Sequence, residues 1–178
     1  VNPRSGIRTA SELPGIISRY IDKDMYDFEV IPTEYAGHGE ELAADAAGKN
    51  YFAVVAVGGD GSVQEIARAI AGTQTMLGII PKGSGNGFAR HLRVPIRAAD
   101  AIKTINGARH TTVDILKING RVCVNVFGIG FDGHIANLFS KMPKRGFITY
   151  AKLVLSRFNT FKPVELDLTA DGKPVRVK

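Results

Sequence analysis

The 178-residue chain has a single cysteine, Cys123, set inside an apolar strand-like run. That excludes a disulfide framework and fits a reducing compartment. No base is patterned beside Cys123, so it reads as a small core residue and not as a nucleophile. No apolar run is long enough to span a bilayer, and no signal-peptide pattern is visible. The histidines, His38, His91, His110 and His134, are scattered without metal-ligand spacing, and no Ser–His–Asp arrangement has local support. Internal repeats and low-complexity stretches are also missing.

Hydrophobic residues make up 44% of the chain, enough for a real core, and the formal net charge is +6. The length allows one large domain, or one domain and part of a second. A basic surface favours acidic partners: nucleotides, anionic lipid surfaces or nucleic acid. Nucleic acid is set aside, because the basic residues follow no recognition motif.

Two glycine-rich stretches organise the rest: Gly58-Gly59-Asp60-Gly61-Ser62 and Pro81-Lys82-Gly83-Ser84-Gly85-Asn86-Gly87. Each follows an apolar run, Phe52–Val57 or Met76–Ile80, and precedes a helical pattern. Parallel strands ending in neighbouring glycine loops form a crevice at their carboxyl ends, where α/β folds bind ligands. Bare backbone and helix-opening N–H groups there suit phosphate. The second stretch is neither a Walker loop nor a dinucleotide fingerprint, since the spacings differ.

Along the chain, Asn2–Gly6 is a turn and a helix runs from near Pro14 to about Tyr20. Phe28–Pro32 is a short strand, with Pro32 marking an edge or the strand's end, and Glu40–Gly48 a helix. Val63, Ile66, Ala67 and Ile70 fall at helical spacing. Further helices are Phe88–Leu92 and Ala98–Ile105. His110–Ile118 and Arg121–Phe127 are β-like runs joined by Asn119-Gly120, a strong hairpin signal. A third glycine loop, Gly128–Gly133, enters a helix near Ile135–Phe139. Phe147–Phe158 is a helix, and Val164–Thr169 a half-buried strand that Asp171-Gly172 turns into another. Residues 1–108 therefore read as an α/β domain with a parallel sheet. Residues 109–178 read as the start of a β-rich second domain. Val1-Asn2-Pro3 reads as the end of a strand and Val175–Lys178 as the inside of one, so a fragment of a larger protein is expected.

Asp60 admits three readings: a helix cap, a Mg²⁺ ligand, or a proton acceptor for an attacking hydroxyl. Glu65 is a surface residue near a positive helix end, or it orders nucleotide atoms. Lys141, Lys144, Arg145, Lys152 and Arg157 are interleaved with Phe131, Phe139, Phe147, Phe158 and Phe161. That pattern suits a lipid interface as well as a plain core under a solvated face.

Taken in order, Asn2–Gly6, Gly58–Ser62 with Glu65, Pro81–Asn86, Val113-Asp114 and Gly128–Gly133 resemble the diacylglycerol kinase catalytic-domain family. The resemblance implies a nucleotide-binding α/β lobe similar to phosphofructokinases and NAD kinases, followed by part of a β-sandwich lobe that holds lipid. It implies that ATP and Mg²⁺ are used to phosphorylate a lipid hydroxyl on diacylglycerol or a sphingoid-type lipid. By motif position, Asn2, Arg4, Ser5, Thr33, Gly58, Gly59, Asp60, Gly61, Ser62, Glu65, Gly83, Ser84, Asn86 and Arg145 would contact nucleotide. Asp60 is the implied catalytic carboxylate, Asp60 and Asp114 the implied metal ligands, and Phe131, Asp132 and His134 the implied lipid contacts. A cytoplasmic enzyme acting transiently at the membrane surface follows, with a homodimer allowed. Two departures stand out. Gly87 occupies a place where many bacterial members carry Asp, and His134 one where sphingosine kinases carry Asp. A non-catalytic nucleotide- or lipid-binding domain and an NAD kinase-like enzyme are the alternatives.

Overall fold

The two apolar runs ahead of the glycine loops are strands β1 (Ala53–Gly58) and β2 (Met76–Pro81). They pair in parallel, Ala53 opposite Met76 and Gly58 opposite Pro81, so both loops leave the sheet level with each other. These facts come from a computed structural model that describes residues 1–3, 12–143, 146–162 and 165–177. The chain divides into two compact units, Val1–Asn125 and Val126–Lys178.

In the first unit, strand alternation sends Ala56 and Ile79 to one face of the sheet and Val57 and Ile80 to the other. The first face is covered by α2 (His38–Gly48), α3 (Asp60–Ile70) and α4 (Gly87–His91), which contribute Ala43, Val63, Ile66, Ile70, Phe88 and Ala89. Leu13 and Ile17 of α1 (Leu13–Tyr20), with Ala101 and Ile102 of α5 (Ala98–Asn106), cover the second. The expected periodic residues of α3 are the ones it buries. Ile102 is fully buried, and burial of such a side chain stabilises by about 1.5–3 kcal/mol. The result is a mixed α/β unit around a small parallel sheet.

Phe28–Pro32 forms no strand. The backbone there makes single rungs through Val1: the Val1 amino group donates to Ile31 O at 2.8 Å and Thr33 N–H donates to Val1 O at 2.8 Å. Asn2 N–H in turn donates to Val57 O at 3.0 Å. Isolated rungs of this kind do not make a ladder.

The Asn119-Gly120 hairpin forms, with both turn residues at positive φ (48° and 79°) as a primed turn requires. Its strands β3 (Leu116–Ile118) and β4 (Arg121–Cys123) are shorter than the apolar runs suggest, and the hairpin lies within the first unit. Gln64 on α3 explains its placement. The Gln64 side chain donates to Val122 O at 2.6 Å and accepts from Val124 N–H at 3.2 Å, so one amide stands in for a neighbouring strand. Gln64→Ala is expected to cost about 1–2 kcal/mol in chemical denaturation, the worth of two hydrogen bonds. Gln64→Glu is expected to cost more, because a carboxylate oxygen then faces the Val122 carbonyl. No stability change in either variant would show that the hairpin is held by other contacts.

The second unit contains α6 (Phe131–Ser140), α7 (Phe147–Phe158) and an antiparallel pair, β5 (Leu166–Ala170) with β6 (Lys173–Val177). Ile135 and Leu153 are its buried aliphatic residues, and Phe131 packs edge-on against Phe158 and Phe161. Among the described residues this unit is two helices and one hairpin, so the expected β-sandwich is not seen in it. No helix is long and apolar enough to cross a membrane among the described residues.

Candidate functional site

The glycine loops touch backbone to backbone. A Cβ on Gly83 would lie 2.5 Å from Gly59 Cα, and one on Gly59 would lie 3.0 Å from Gly83 Cα. Lys82 N–H donates to Gly58 O at 2.7 Å, carrying the sheet ladder one step into the loops. Glycine is needed at 59 and 83 because two main chains meet there.

Asn86 closes its own loop. It sits at φ 51°, is 5% exposed, accepts from Gly83 N–H at 2.8 Å and donates to Gly83 O at 2.8 Å. Arg90 Nε donates to Gly85 O at 3.0 Å on the outside of the same loop. Ser84 is exposed, and its hydroxyl makes no hydrogen bond among the described residues.

Asp60 heads α3, yet its carboxylate serves a different helix. Oδ2 accepts from Gly87 N–H at 3.0 Å, and Oδ1 accepts from Phe88 N–H at 3.0 Å and Asn125 Nδ2 at 3.4 Å. Asp60 thus caps α4, while α3, with Gly59 at its N-cap, has no side-chain cap. The N–H groups of the first turn of α3 therefore have no capping side chain and no intrahelical acceptor. The sequence reading does not single out Asn125; its signal is a lone amide inside the apolar run Val122–Phe127. A Cβ at Gly87 would meet Asn125 Nδ2 at 3.4 Å and Asp60 Oδ1 at 3.6 Å. A carboxylate at 87 would thus sit beside that of Asp60.

No all-protein Mg²⁺ cage is formed among the described residues. Mg²⁺ keeps several waters and takes one or two carboxylates together with substrate phosphates. Both Asp60 oxygens accept hydrogen bonds, and no group of three or more Asp, Glu, His or Cys is placed to hold a metal among the described residues. Asp114 is exposed in the segment before β3 and makes no hydrogen bond or ion pair among the described residues.

A second row of residues borders the first loop. Asn2 Nδ2 donates to Ser62 Oγ at 3.4 Å, and Thr33 Oγ1 donates to Val1 O at 3.4 Å. Gly37 N–H donates to Glu65 Oε1 at 3.4 Å, and a Cβ on Gly39 would lie 2.9 Å from Glu65 Oε2 and 3.8 Å from Thr33 Cγ2. Glu65 therefore holds the start of α2 and brings Thr33 close. The Tyr35 and His38 rings stack at 4.6 Å and 5° in this same loop. Its hydrogen bond to Glu41 Oε2 (2.6 Å) pushes the Tyr35 phenol pKa up, keeping it a donor.

The structure thus gathers Asn2, Thr33, Gly58, Gly59, Asp60, Gly61, Ser62, Glu65, Gly83, Ser84 and Asn86 at the carboxyl end of one sheet. Arg4, Ser5 and Arg145 lie outside the described residues. Phe131, Asp132 and His134 belong to the second unit, in the first turn of α6. There Gly128 and Gly133 pack closely: a Cβ on Gly133 would lie 2.7 Å from Gly128 O. Phe131 is engaged in the aromatic cluster, Asp132 and His134 are exposed, and the His134 ring lies 5.7 Å from that of Phe161.

A small parallel sheet ending in abutting glycine loops makes this a mixed α/β protein. Residues 1–118 match the family model of the diacylglycerol kinase catalytic domain, and the chain belongs to that family. It is 28% identical over 183 residues to a diacylglycerol kinase of Bacillus subtilis, a match covering 97% of this chain and 58% of that protein. It is 34% identical over 128 residues to a diacylglycerol kinase of Staphylococcus saprophyticus, covering 70% and 42%. A crystal structure of a diacylglycerol kinase from Bacillus anthracis superposes with a TM-score of 0.64 at 27% identity, over 80% of this chain and 52% of that one. The chain spans about half the length of the relatives it matches.

Proposed function

We propose that this chain supplies the ATP-binding part, and the beginning of the lipid-binding part, of an ATP-dependent lipid kinase. The observation that carries the reading is the Gly59–Gly83 contact beside the uncapped start of α3. The first-turn N–H groups of α3, without a side-chain cap, are suited to a polyphosphate. Gly58 to Ser62 and Gly83 to Ser84 would cradle the phosphates. Asn2, Thr33 and Glu65 would border the rest of the nucleotide, and Arg4, Ser5 and Arg145 complete the set by motif position. The N–H groups would stabilise charge on the transferring phosphoryl group. Asp60 would orient the lipid hydroxyl or take its proton. Mg²⁺ is read as part of the MgATP substrate, with no residue assigned to hold it.

Phe131, Asp132 and His134 are the proposed lipid contacts. Exposed Ile148 and Leu155 beside Lys152 on α7 suit a protein that meets its substrate at a membrane surface. Diacylglycerol is the first acceptor in view of the relatives' names. The Gly83-Ser84-Gly85-Asn86 loop keeps sphingosine beside it.

The experiment is transfer from labelled ATP, given as its magnesium complex, to diacylglycerol, sphingosine, ceramide or NAD by the protein that carries this chain. Label in a chloroform-soluble product is the expected result. Labelled NADP would replace the reading with an NAD kinase. A non-catalytic nucleotide-binding domain is the second reading, favoured by the Asp60 carboxylate being engaged by α4. It predicts ATP binding without transfer to any acceptor.

A further inference from the structure

An aromatic ring on an exposed loop is ordinarily free to turn; the Tyr35 ring is not. It is 52% exposed, but its hydroxyl is anchored on Glu41 Oε2 at 2.6 Å and its face lies on His38, 4.6 Å away and nearly coplanar at 5°. His38 is fixed in turn, since its Nδ1 accepts from Glu34 N–H at 3.1 Å. That hydrogen bond leaves Nε2 as the donor nitrogen of the neutral ring. A flat, rigid, half-exposed π-surface is therefore held in place before any ligand arrives, which reduces the ordering cost of binding.

Its position gives the surface a use. Gly37 and Gly39, on either side of His38, dock on Glu65 of α3, and Thr33 packs against the same glycine. Ser62 and Glu65 lie three residues apart and share one helix face. Ser62 belongs to the first glycine loop and accepts a hydrogen bond from Asn2. The phosphate-suited backbone and the ring pair are thus joined through one face of one helix, with polar side chains between them. A nucleotide whose phosphates sat at the loops would have this face open to its sugar and base.

The geometry points to the Tyr35–His38 pair as the platform on which the nucleotide base stacks. This rests on the nucleotide reading above and adds a residue that fixes base affinity. Stacking on an aromatic ring tolerates any base, because every base has a π-face. The platform therefore favours nucleotides over bare polyphosphate and discriminates weakly between adenine and guanine. The competing account is structural: a surface ring pair that only steadies the start of α2.

Calorimetric titration of the full chain with the magnesium complexes of ATP, GTP and inorganic tripolyphosphate separates the two accounts. Wild type is expected to bind both nucleotides more tightly than tripolyphosphate. Tyr35→Phe is expected to keep that difference. Tyr35→Ala is expected to lose roughly tenfold or more in ATP and GTP affinity, the scale on which stacking one base acts, with tripolyphosphate affinity unchanged. An unchanged tripolyphosphate affinity also reports an intact loop pair. The platform is refuted if Tyr35→Ala keeps wild-type ATP affinity, or loses tripolyphosphate to the same extent. Wild type that binds tripolyphosphate as tightly as ATP removes the platform alone. Wild type that binds none of the three overturns the nucleotide reading beneath it.

Discussion

Gly83→Ala is expected to lower stability by about 3 kcal/mol and to remove nucleotide affinity. The new methyl group would stand 2.5 Å from Gly59 Cα and 2.9 Å from Asn86 Oδ1. Backbone cannot swing aside as a side-chain end can, so one loop must leave the other. Overpacking of a filled site costs about 1–3 kcal/mol. Displacing Asn86 also forfeits its hydrogen bonds to Gly83, each worth about 1 kcal/mol net. Gly61→Ala, in the first glycine loop, is the control. A Cβ at Gly61 meets nothing within 4 Å, and the residue lies inside α3. Alanine there is expected to gain about 0.5–1 kcal/mol from helix propensity. Denaturant midpoints of the two variants should move in opposite directions. Parallel movement would mean that the loops do not depend on their mutual contact.

Asp60→Asn is expected to reduce phosphoryl transfer by roughly 10²-fold or more, the scale of general acid–base catalysis. It is also expected to cost stability, which the sequence alone would not suggest. A carboxylate accepts at both oxygens, whereas an amide offers one acceptor and one donor. Whichever way the substituted amide turns, its NH₂ faces the N–H of Gly87 or of Phe88. The loss of one hydrogen bond and the donor–donor opposition should cost about 1–3 kcal/mol. Turnover and unfolding must therefore be read separately on the same preparation. Turnover within tenfold of wild type would remove Asp60 from the chemistry and leave it as the cap of α4. Wild-type stability in the variant would show instead that the cap contributes little.

These expectations mark where sequence reasoning succeeds and where it stops. The strand–loop–helix order from Ala53 to His91 is legible, because each element depends on its own residues: apolar runs, glycine breaks and the 3.6-residue spacing of Val63, Ile66, Ala67 and Ile70. Asn119-Gly120 announces its turn for the same local reason. Partnerships between distant residues are not legible. Periodicity assigns a face to Gln64 but does not say that a hairpin edge will lie on it. Asp60 reads as a candidate cap and is one, but its own helix is the expected client and α4 is the actual one. Asn86 reads as a ligand group, and nothing local says that it also holds its own loop closed. Asn125 carries one weak signal, an amide among apolar residues, and the strand pattern around it outweighs that signal. The segment Phe28–Pro32 has strand composition, yet a strand exists only where a neighbour supplies a ladder.

The clasp on Asp60 has a consequence for how the crevice is assembled. Its two backbone donors come from 27 and 28 residues along the chain, and Asn125 comes from 65. The entropy lost in closing a loop rises with the logarithm of its length, and short-range topology favours rapid assembly. Strand, loop, helix, strand and second loop thus form one contiguous stretch whose contacts close over short distances. During synthesis from the amino end, that stretch emerges ahead of β3, β4 and Asn125. The paired loops can close first, and Asn125 then arrives as a latch on a structure already in place.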